Sequence, residues 1–200
     1  IGENHTSLKK SIGDFADVDH YSFANPSEAK SFFATKRASD VLLINLHAST
    51  VRARDGYGFG EGWQEILTLI PSKKTVVLNL FGNPQALKGV DLSAVDAVVV
   101  AYENHPLVQE RAAQLIFGAA PSAGKLPMTI QRTFERGSGI ELAWGGRLKF
   151  SQPEEFGIDP KKFEEVDKMA LNGIAKGAYP GCQIVVAYKG SLIYRKNFGT

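Results

Sequence analysis

The stretch VLLINL at residues 41–46 decides the fold class, together with the later runs TVVLNL at 75–80 and AVVVA at 97–101. Each run is short, apolar and rich in β-branched residues, which is typical of a strand that is buried on both faces. One amphipathic stretch at helical spacing lies between the first two runs, over 63–70, and another follows the third run, over 108–116. This alternation predicts an α/β fold with a mainly parallel sheet sandwiched by helices, as in flavodoxin-like proteins.

Further elements are predicted before this sheet. We expect a helix over about 5–15, a short strand near 18–23, and a second helix over 26–37 that begins with Asn25 as its cap and a proline at its first position. The first two residues resemble the end of a strand, so the sheet is expected to begin before residue 1.

The first domain is predicted to end near residue 131. A loop rich in glycine and proline covers 118–127, and 128–130 forms a short edge strand in this interpretation. The first domain is therefore assigned to 1–131, and a linker of low regularity to 132–158.

The remaining residues, 159–200, predict a helix and a β-hairpin. Asp159 and Pro160 are a cap and a first-turn proline for a helix of about 17 residues. Lys189 and Gly190 separate two apolar runs and are typical of a tight hairpin turn. One helix and one hairpin bury little apolar surface, so we interpret 159–200 as the N-terminal part of a truncated second domain.

Composition excludes several classes of function. The 200 residues are 44% hydrophobic and 22% charged, as in an ordinary globular protein, and the net charge of +2 gives no field that would attract nucleic acid. No apolar run reaches the roughly 18 residues that span a bilayer. Cys182 is the only cysteine, and it and four scattered histidines form no metal-ligand pattern. We therefore predict no metal and no cofactor.

Two motifs in the first domain carry a family resemblance. The helix sequence YENHPLVQERAAQLIFG at 102–118, followed by PSAGKLPMT at 121–129, resembles glycoside hydrolase family three, in particular its β-N-acetylglucosaminidase-like members. The turn FGNP at 81–84 is similar to the same family. The resemblance covers about 1–131 and implies the α/β sandwich domain that follows a catalytic barrel.

The tail resembles a different family. FGID at 156–159 and YPGCQIVVA at 179–187 look like the opening of serine β-lactamase-like esterases and penicillin-binding proteins. In bacterial fusion proteins the two modules occur in this order, after a barrel domain. The nucleophile of that second family lies in a Ser-x-x-Lys motif after the hairpin. The three Ser-x-x-Lys matches here, which begin at Ser7, Ser27 and Ser122, all precede the hairpin and are interpreted as coincidence.

Four residues are candidates for ligand binding. Arg52, Arg54 and Asp55 lie in the glycine-rich loop 49–62, where they are expected either to reach sugar hydroxyls or to pack against a neighbouring domain. Glu103 follows the third strand and is either a carboxyl acid or, together with Asn104, part of a turn that complements the next helix. His47 is interpreted as a packing residue. The glycine spacing of the loop does not match a dinucleotide motif.

The family resemblance implies an aspartate nucleophile and a His–Asp pair in the barrel, and no segment here matches them, so no catalytic residue is predicted. We expect a non-catalytic domain segment, inactive alone, of a hydrolase that cleaves O-glycosyl bonds in amino-sugar glycans such as peptidoglycan fragments. Its expected partners are an upstream barrel and a downstream β-lactamase-like domain of the same parent chain. The resemblance implies a periplasmic or cell-envelope location. The alternatives are a flavodoxin-like binding or interaction module and a fragment of a serine esterase or β-lactamase-like hydrolase.

Overall fold

A computed structural model describes residues 6–23, 25–35, 39–60, 62–71, 73–130 and 132–199. The chain divides into two compact units. Unit 1 comprises Ile1–Ile116 and Ser122–Leu142, and unit 2 comprises Phe117–Pro121 and Ala143–Thr200. Within the described ranges, every helix is too short or too polar to cross a bilayer.

In the described part of unit 1 the sheet has three parallel strands, in the order β1 (Val41–His47), β2 (Thr75–Phe81) and β3 (Ala97–Val100). In the register, Val41 lies opposite Thr75 and Val77 lies opposite Ala97. The predicted α/β class with a parallel sheet is thereby confirmed, and each strand agrees with its predicted limits to within one residue.

Among its described residues, unit 1 contains the α-helices α1 (Thr6–Gly13), α2 (Pro26–Thr35), α3 (Glu65–Thr68) and α4 (Pro106–Ile116). The cap predicted for α2 is confirmed, because the Asn25 side-chain oxygen accepts a bond from the Glu28 backbone N–H at 3.1 Å. The Glu28 carboxylate accepts from the Asn25 amide in return, at 2.9 Å. α3 is a single turn, shorter than the predicted 63–70, since a turn precedes it and Pro71 follows.

Two predicted strands do not form. Residues 18–23 contain no strand, because a groove separates them from β1 and no described strand lies beside them. At 128–130 the structure has only an isolated bridge between Ile130 and Phe134, where the Ile130 N–H donates to the Phe134 carbonyl at 2.7 Å. The chain reverses too tightly at this point to pair with another strand.

The main apolar cluster of unit 1 lies on the face of the sheet that Leu78 and Leu80 present. Its fully or nearly fully buried members are Phe59, Trp63, Leu67, Leu78, Leu80, Leu87 and Ile130. Ile44 and Leu46 of β1 pack against them from the same face. Leu8 and Ile12 of α1 are also buried, and α1 contacts α4.

Unit 2 is a small sheet with one helix. Its strands lie in the order β4 (Lys149–Phe150), β6 (Ser191–Gly199) and β5 (Gly181–Tyr188), and its helix is α5 (Lys162–Ala175). β5 and β6 form the predicted antiparallel hairpin, with Lys189 and Gly190 at positive φ values of 47° and 77°. β4, which pairs parallel to β6, was not predicted. α5 begins later than predicted, because the Asp159 carboxylate accepts the Lys161 N–H in a preceding turn.

α5 is joined to β6 by one aromatic stack and one polar cluster. The rings of Phe163 and Tyr194 stack with centroids 4.6 Å apart. The Asp167 carboxylate accepts hydrogen bonds from the Tyr194 hydroxyl and, at 2.6 Å, from the Lys196 ammonium. The bonds from Lys196 and Tyr194 lower the pKa of Asp167, whereas burial and the bond to Asp167 raise the pKa of Tyr194 to about 12.

Candidate functional site at the carboxyl edge of the sheet

The carboxyl ends of the three parallel strands of unit 1 lie at one edge of the sheet. β1 leads into the glycine-rich loop 49–62, β2 into Gly82, and β3 into the turn at 101–105. Parallel α/β sheets gather their ligand contacts at this edge. All four predicted binding residues lie in these connections, so this edge is the candidate site.

The glycine-rich loop is a folded turn that backbone hydrogen bonds hold together. The N–H of Ser49 donates to the carbonyl of Gly58 at 3.1 Å, and the N–H of Tyr57 donates to the carbonyl of Arg52 at 3.0 Å. Gly56 and Gly58 have positive φ values of 59° and 79°, which favour glycine. Phe59, only 5% exposed, anchors the end of the loop in the core.

This loop presents its predicted binding residues to solvent. Arg52, Arg54 and Asp55 are all exposed. The Arg54 side chain is 74% exposed and lies 3.7 Å from the carboxylate of Asp55, where the two form a surface ion pair. The loop therefore brings one guanidinium group and one carboxylate together, and it also exposes the guanidinium group of Arg52.

Gly82 allows this loop to lie close to the end of β2. A Cβ atom at position 82 would lie 2.6 Å from the Cβ of Ala48 and 2.7 Å from the ring of Phe59. Both distances are shorter than van der Waals contact. The absence of a side chain at Gly82 is thus a condition for the observed position of the loop.

Glu103 lies on the opposite side of the edge, after β3. Its side chain is exposed, and its backbone N–H donates to the carbonyl of Ala101 at 2.7 Å. Asn104 does not cap the following helix, because its side chain bonds to Gln109 and Ala48, whereas the complementing role of Glu103 stays a prediction. The ring of His105 accepts the N–H of Leu107 in the first turn of α4, at 3.3 Å.

Asn104 instead belongs to a polar network inside unit 1. Its side-chain oxygen accepts from the amide of Gln109 at 2.9 Å and lies 2.9 Å from Nδ1 of His47, while its amide donates to the carbonyl of Ala48 at 3.3 Å. Gln109 is fully buried and accepts the N–H of Leu8 at 3.0 Å. The network ties the end of β1 to α4 and α1.

His47 has the packing role that was predicted for it. Its ring stacks on Phe81 with centroids 4.8 Å apart and planes at 7°. Sequence reasoning missed the contribution of Gln109, although a signal was present. Gln109 shares a helical face with Ala112 and Ala113, both buried, and a polar residue on such a face requires buried partners.

The edge is suited to binding by hydrogen bonds and charge. Asp55 is paired with Arg54, Glu103 is exposed, and neither lines the groove that runs along β1. Both carboxylates lie at the surface, where they can accept hydrogen bonds from a ligand.

Among the described residues, no three His, Cys, Asp or Glu side chains cluster as a metal site requires. Comparison of the chain with family models, with curated proteins and with solved structures finds no match.

Proposed function

We propose that this chain is a non-catalytic domain segment of a β-N-acetylhexosaminidase-like glycoside hydrolase, and that its carboxyl edge contacts amino-sugar glycans. The observation that supports the proposal best is the glycine-rich loop. Backbone hydrogen bonds hold this loop in a folded turn that exposes Arg52, Arg54 and Asp55 to solvent.

The chemistry of this loop fits a sugar ligand. Guanidinium groups donate to hydroxyl and acetamide oxygens, and they bind carboxylates such as those of peptidoglycan fragments in a two-pronged geometry. The carboxylate of Asp55 accepts from sugar hydroxyls. Because the loop backbone is already folded, little ordering of the chain opposes binding.

In this proposal the hydrolytic groups belong to a barrel domain of the same parent chain, and unit 2 leads into a β-lactamase-like domain. The resemblance of 102–129 to family three supports the first part, and that of 156–187 to serine hydrolases supports the second. The rival function is a flavodoxin-like interaction module, which would use the same loop for a protein partner.

The first test is hydrolysis of a chromogenic N-acetylglucosaminide by the purified chain, with the Glu103→Gln variant in parallel. We expect no release above buffer from either protein. If the unsubstituted 200-residue chain hydrolyses the substrate and the Glu103→Gln variant does not, the proposal is overturned and Glu103 is a catalytic acid. Hydrolysis of a chromogenic β-lactam by the chain would favour the serine-hydrolase alternative.

The second test is an NMR titration of the chain with a peptidoglycan disaccharide that carries a lactyl carboxylate. We expect amide shifts over 49–60, and at least about tenfold weaker binding after Arg52→Ala combined with Arg54→Ala, since a bond to a charged group contributes roughly 1.5–3 kcal/mol. Arg136→Ala is the matched control, because Arg136 is exposed elsewhere in unit 1. Equal weakening by the control, or no amide shifts, would favour the interaction module.

A further inference from the structure

The junction between β1 and the glycine-rich loop is held by three hydrogen bonds. The N–H of Ala48 donates to the carbonyl of Phe81 at the end of β2, at 3.0 Å, and the N–H of Ser49 donates to the carbonyl of Gly58 at 3.1 Å. The carbonyl of Ala48 accepts the side-chain amide of Asn104 at 3.3 Å. The first two bonds join backbone groups, whereas the third depends on a single side chain that follows β3.

The hydrogen bonds of Asn104 have a fixed direction. Its side-chain nitrogen faces the carbonyl of Ala48, and a carbonyl can only accept, so the other side-chain atom is the oxygen. That oxygen accepts from the side-chain amide of Gln109 at 2.9 Å. Gln109 in turn accepts the backbone N–H of Leu8, which can only donate, at 3.0 Å. Backbone groups at both ends of the network therefore determine the orientation of both amides.

The same direction assigns a proton to the ring of His47. Its Nδ1 lies 2.9 Å from the side-chain oxygen of Asn104, which is an acceptor. Nδ1 therefore carries a hydrogen in the neutral ring as well as in the charged one. The oxygen of Asn104 thus has two donors, one at the end of β1 and one on α4.

Asn104 connects a buried anchor to an exposed loop. Its partner Gln109 is fully buried, and a buried amide that loses a partner cannot replace it with bulk water. The far end of the loop has an anchor of its own, because Phe59 is only 5% exposed and packs in the apolar cluster of unit 1. Asn104 therefore holds the start of the loop, and Phe59 holds its end.

We propose that Asn104 is the positioning residue of the carboxyl edge. It fixes Ala48, the residue from which the loop departs, against α4, and it thereby determines where the charged side chains of the loop lie. Asn104 acts through the loop backbone and does not itself contact the ligand. Because the loop is held before a ligand arrives, less ordering opposes binding. What the loop binds rests on the proposed function, whereas the way in which the loop is held does not.

The first experiment measures amide hydrogen exchange of the full chain by NMR, without a ligand. In Asn104→Ala the amide of Ser49 should exchange at least about fivefold faster, because the carbonyl of Ala48 loses its side-chain donor. The amides of Leu78 and Leu80 in β2 should keep their exchange rates, which shows that the sheet is intact.

Asn83→Ala is the matched control. Asn83 follows β2 at the same edge of the sheet, but its side-chain oxygen accepts the N–H of Gln85 within its own turn. Its loss should therefore leave the exchange of Ser49 unchanged. An equal increase in Asn83→Ala and Asn104→Ala would show that any lost asparagine at this edge loosens the loop, and it would overturn the inference.

Asn104→Asp separates the two sides of the network. A carboxylate still accepts from Gln109 and from the ring of His47, but it cannot donate to the carbonyl of Ala48. The exchange of Ser49 should therefore increase as in Asn104→Ala. The ring nitrogen shifts of His47 at about pH 8 should show that Nδ1 keeps its hydrogen in Asn104→Asp and loses it in part in Asn104→Ala. If the alanine variant does not fold, the exchange of Ser49 in Asn104→Asp decides the test.

The second experiment repeats the titration with the peptidoglycan disaccharide that carries a lactyl carboxylate. Asn104→Ala should weaken binding at least about threefold, because the loop must then be ordered on binding, and Asn83→Ala should not. Unchanged exchange of Ser49 in both Asn104 variants overturns the inference, as does sugar binding that Arg52→Ala with Arg54→Ala weakens and Asn104→Ala leaves intact. If the chain binds no sugar while the Asn104 variants exchange faster at Ser49, the proposed function fails and the positioning of the loop by Asn104 stands.

Discussion

In unit 1 the side chains of Val76, Leu78 and Leu80 on the central strand have no exposed surface, whereas in unit 2 strand β5 leaves Val185 56% and Tyr188 42% exposed. β2 has a strand on each side, while β5 is an edge strand. Unit 1 therefore buries its central strand completely, whereas unit 2 leaves more of its hairpin exposed and has the polar cluster around Asp167 in addition to its apolar contacts. The two units thus differ in how much of their strands they bury. Mutations in each unit and changes of pH should therefore alter the stability of the two units by different amounts.

The largest expected effect comes from the core of unit 1. Leu80→Ala should lower its free energy of unfolding by about 2–5 kcal/mol, because it leaves a cavity beneath the sheet. Urea unfolding followed by Trp63 fluorescence, in a Trp144→Phe background, measures the change. Val185→Ala should shift the stability of unit 2, followed by the NMR signals of the β5 and β6 amides in urea, by less than about 0.5 kcal/mol. Equal losses in the two variants would contradict the comparison.

The next effect concerns the close approach at Gly82. Gly82→Ala should destabilise unit 1 by about 1–3 kcal/mol, since the new methyl group overlaps Ala48 and Phe59. Gly124→Ala is the control, because a Cβ there has no neighbour within 4 Å. The midpoints of thermal unfolding of the two variants are compared. A loss in Gly82→Ala alone indicates the steric overlap, whereas equal losses indicate a general effect of replacing glycine. A neutral Gly82→Ala would mean that the loop moves away at little cost.

A smaller gain is expected in the hairpin turn of unit 2. Lys189 has a φ of 47°, a left-handed conformation that asparagine tolerates better than lysine. Lys189→Asn should stabilise the hairpin by up to about 1 kcal/mol, as measured by the urea midpoint of the β5 and β6 amide signals. Lys189→Gln removes the same charge and keeps the strain, so an equal gain from it would refute the explanation.

The smallest expected effect is the pH dependence of unit 2, because water screens the groups concerned. The folded-state pKa of Asp167 is lowered, so its contribution is present above the unfolded value near 3.8 and is lost as the pH falls through the folded value. The pKa of Tyr194 is raised to about 12, so its contribution is lost as the pH rises from about 10 to 12. Thermal unfolding followed by the NMR signals of the β6 amides at several pH values should show both losses of stability. Asp167→Asn should abolish the loss at low pH.

The strands of unit 1 could be predicted because each is a short apolar run whose burial depends on its own composition. The hairpin could be predicted because Lys189-Gly190 is a local turn signal. Neither the presence of β4 nor the absence of a strand at 18–23 could be predicted from the sequence. Both depend on whether another strand lies beside the segment. Lys149 and Phe150 become a strand only because β6 lies beside them.

At the candidate site, the position of Arg52, Arg54 and Asp55 at the carboxyl end of β1 could be predicted, because their loop directly follows a run that predicts a buried strand. The network of His47, Asn104 and Gln109 did not follow, since its members come from distant parts of the chain. Asn104 is adjacent to a helix start, where local rules predict a cap, and the contacts it makes with His47 and Gln109 prevail over that local preference.

The path of the chain between the units has a consequence for fragmentation. The chain leaves unit 1 after Ile116, returns at Ser122 and leaves again after Leu142. The carbonyl of Gly118 accepts the N–H of Gly145 at 3.0 Å, so residues on both sides of the 122–142 excursion build unit 2. A protease that cuts once within 132–142 should therefore produce two fragments that elute together from a sizing column and separate only in denaturant.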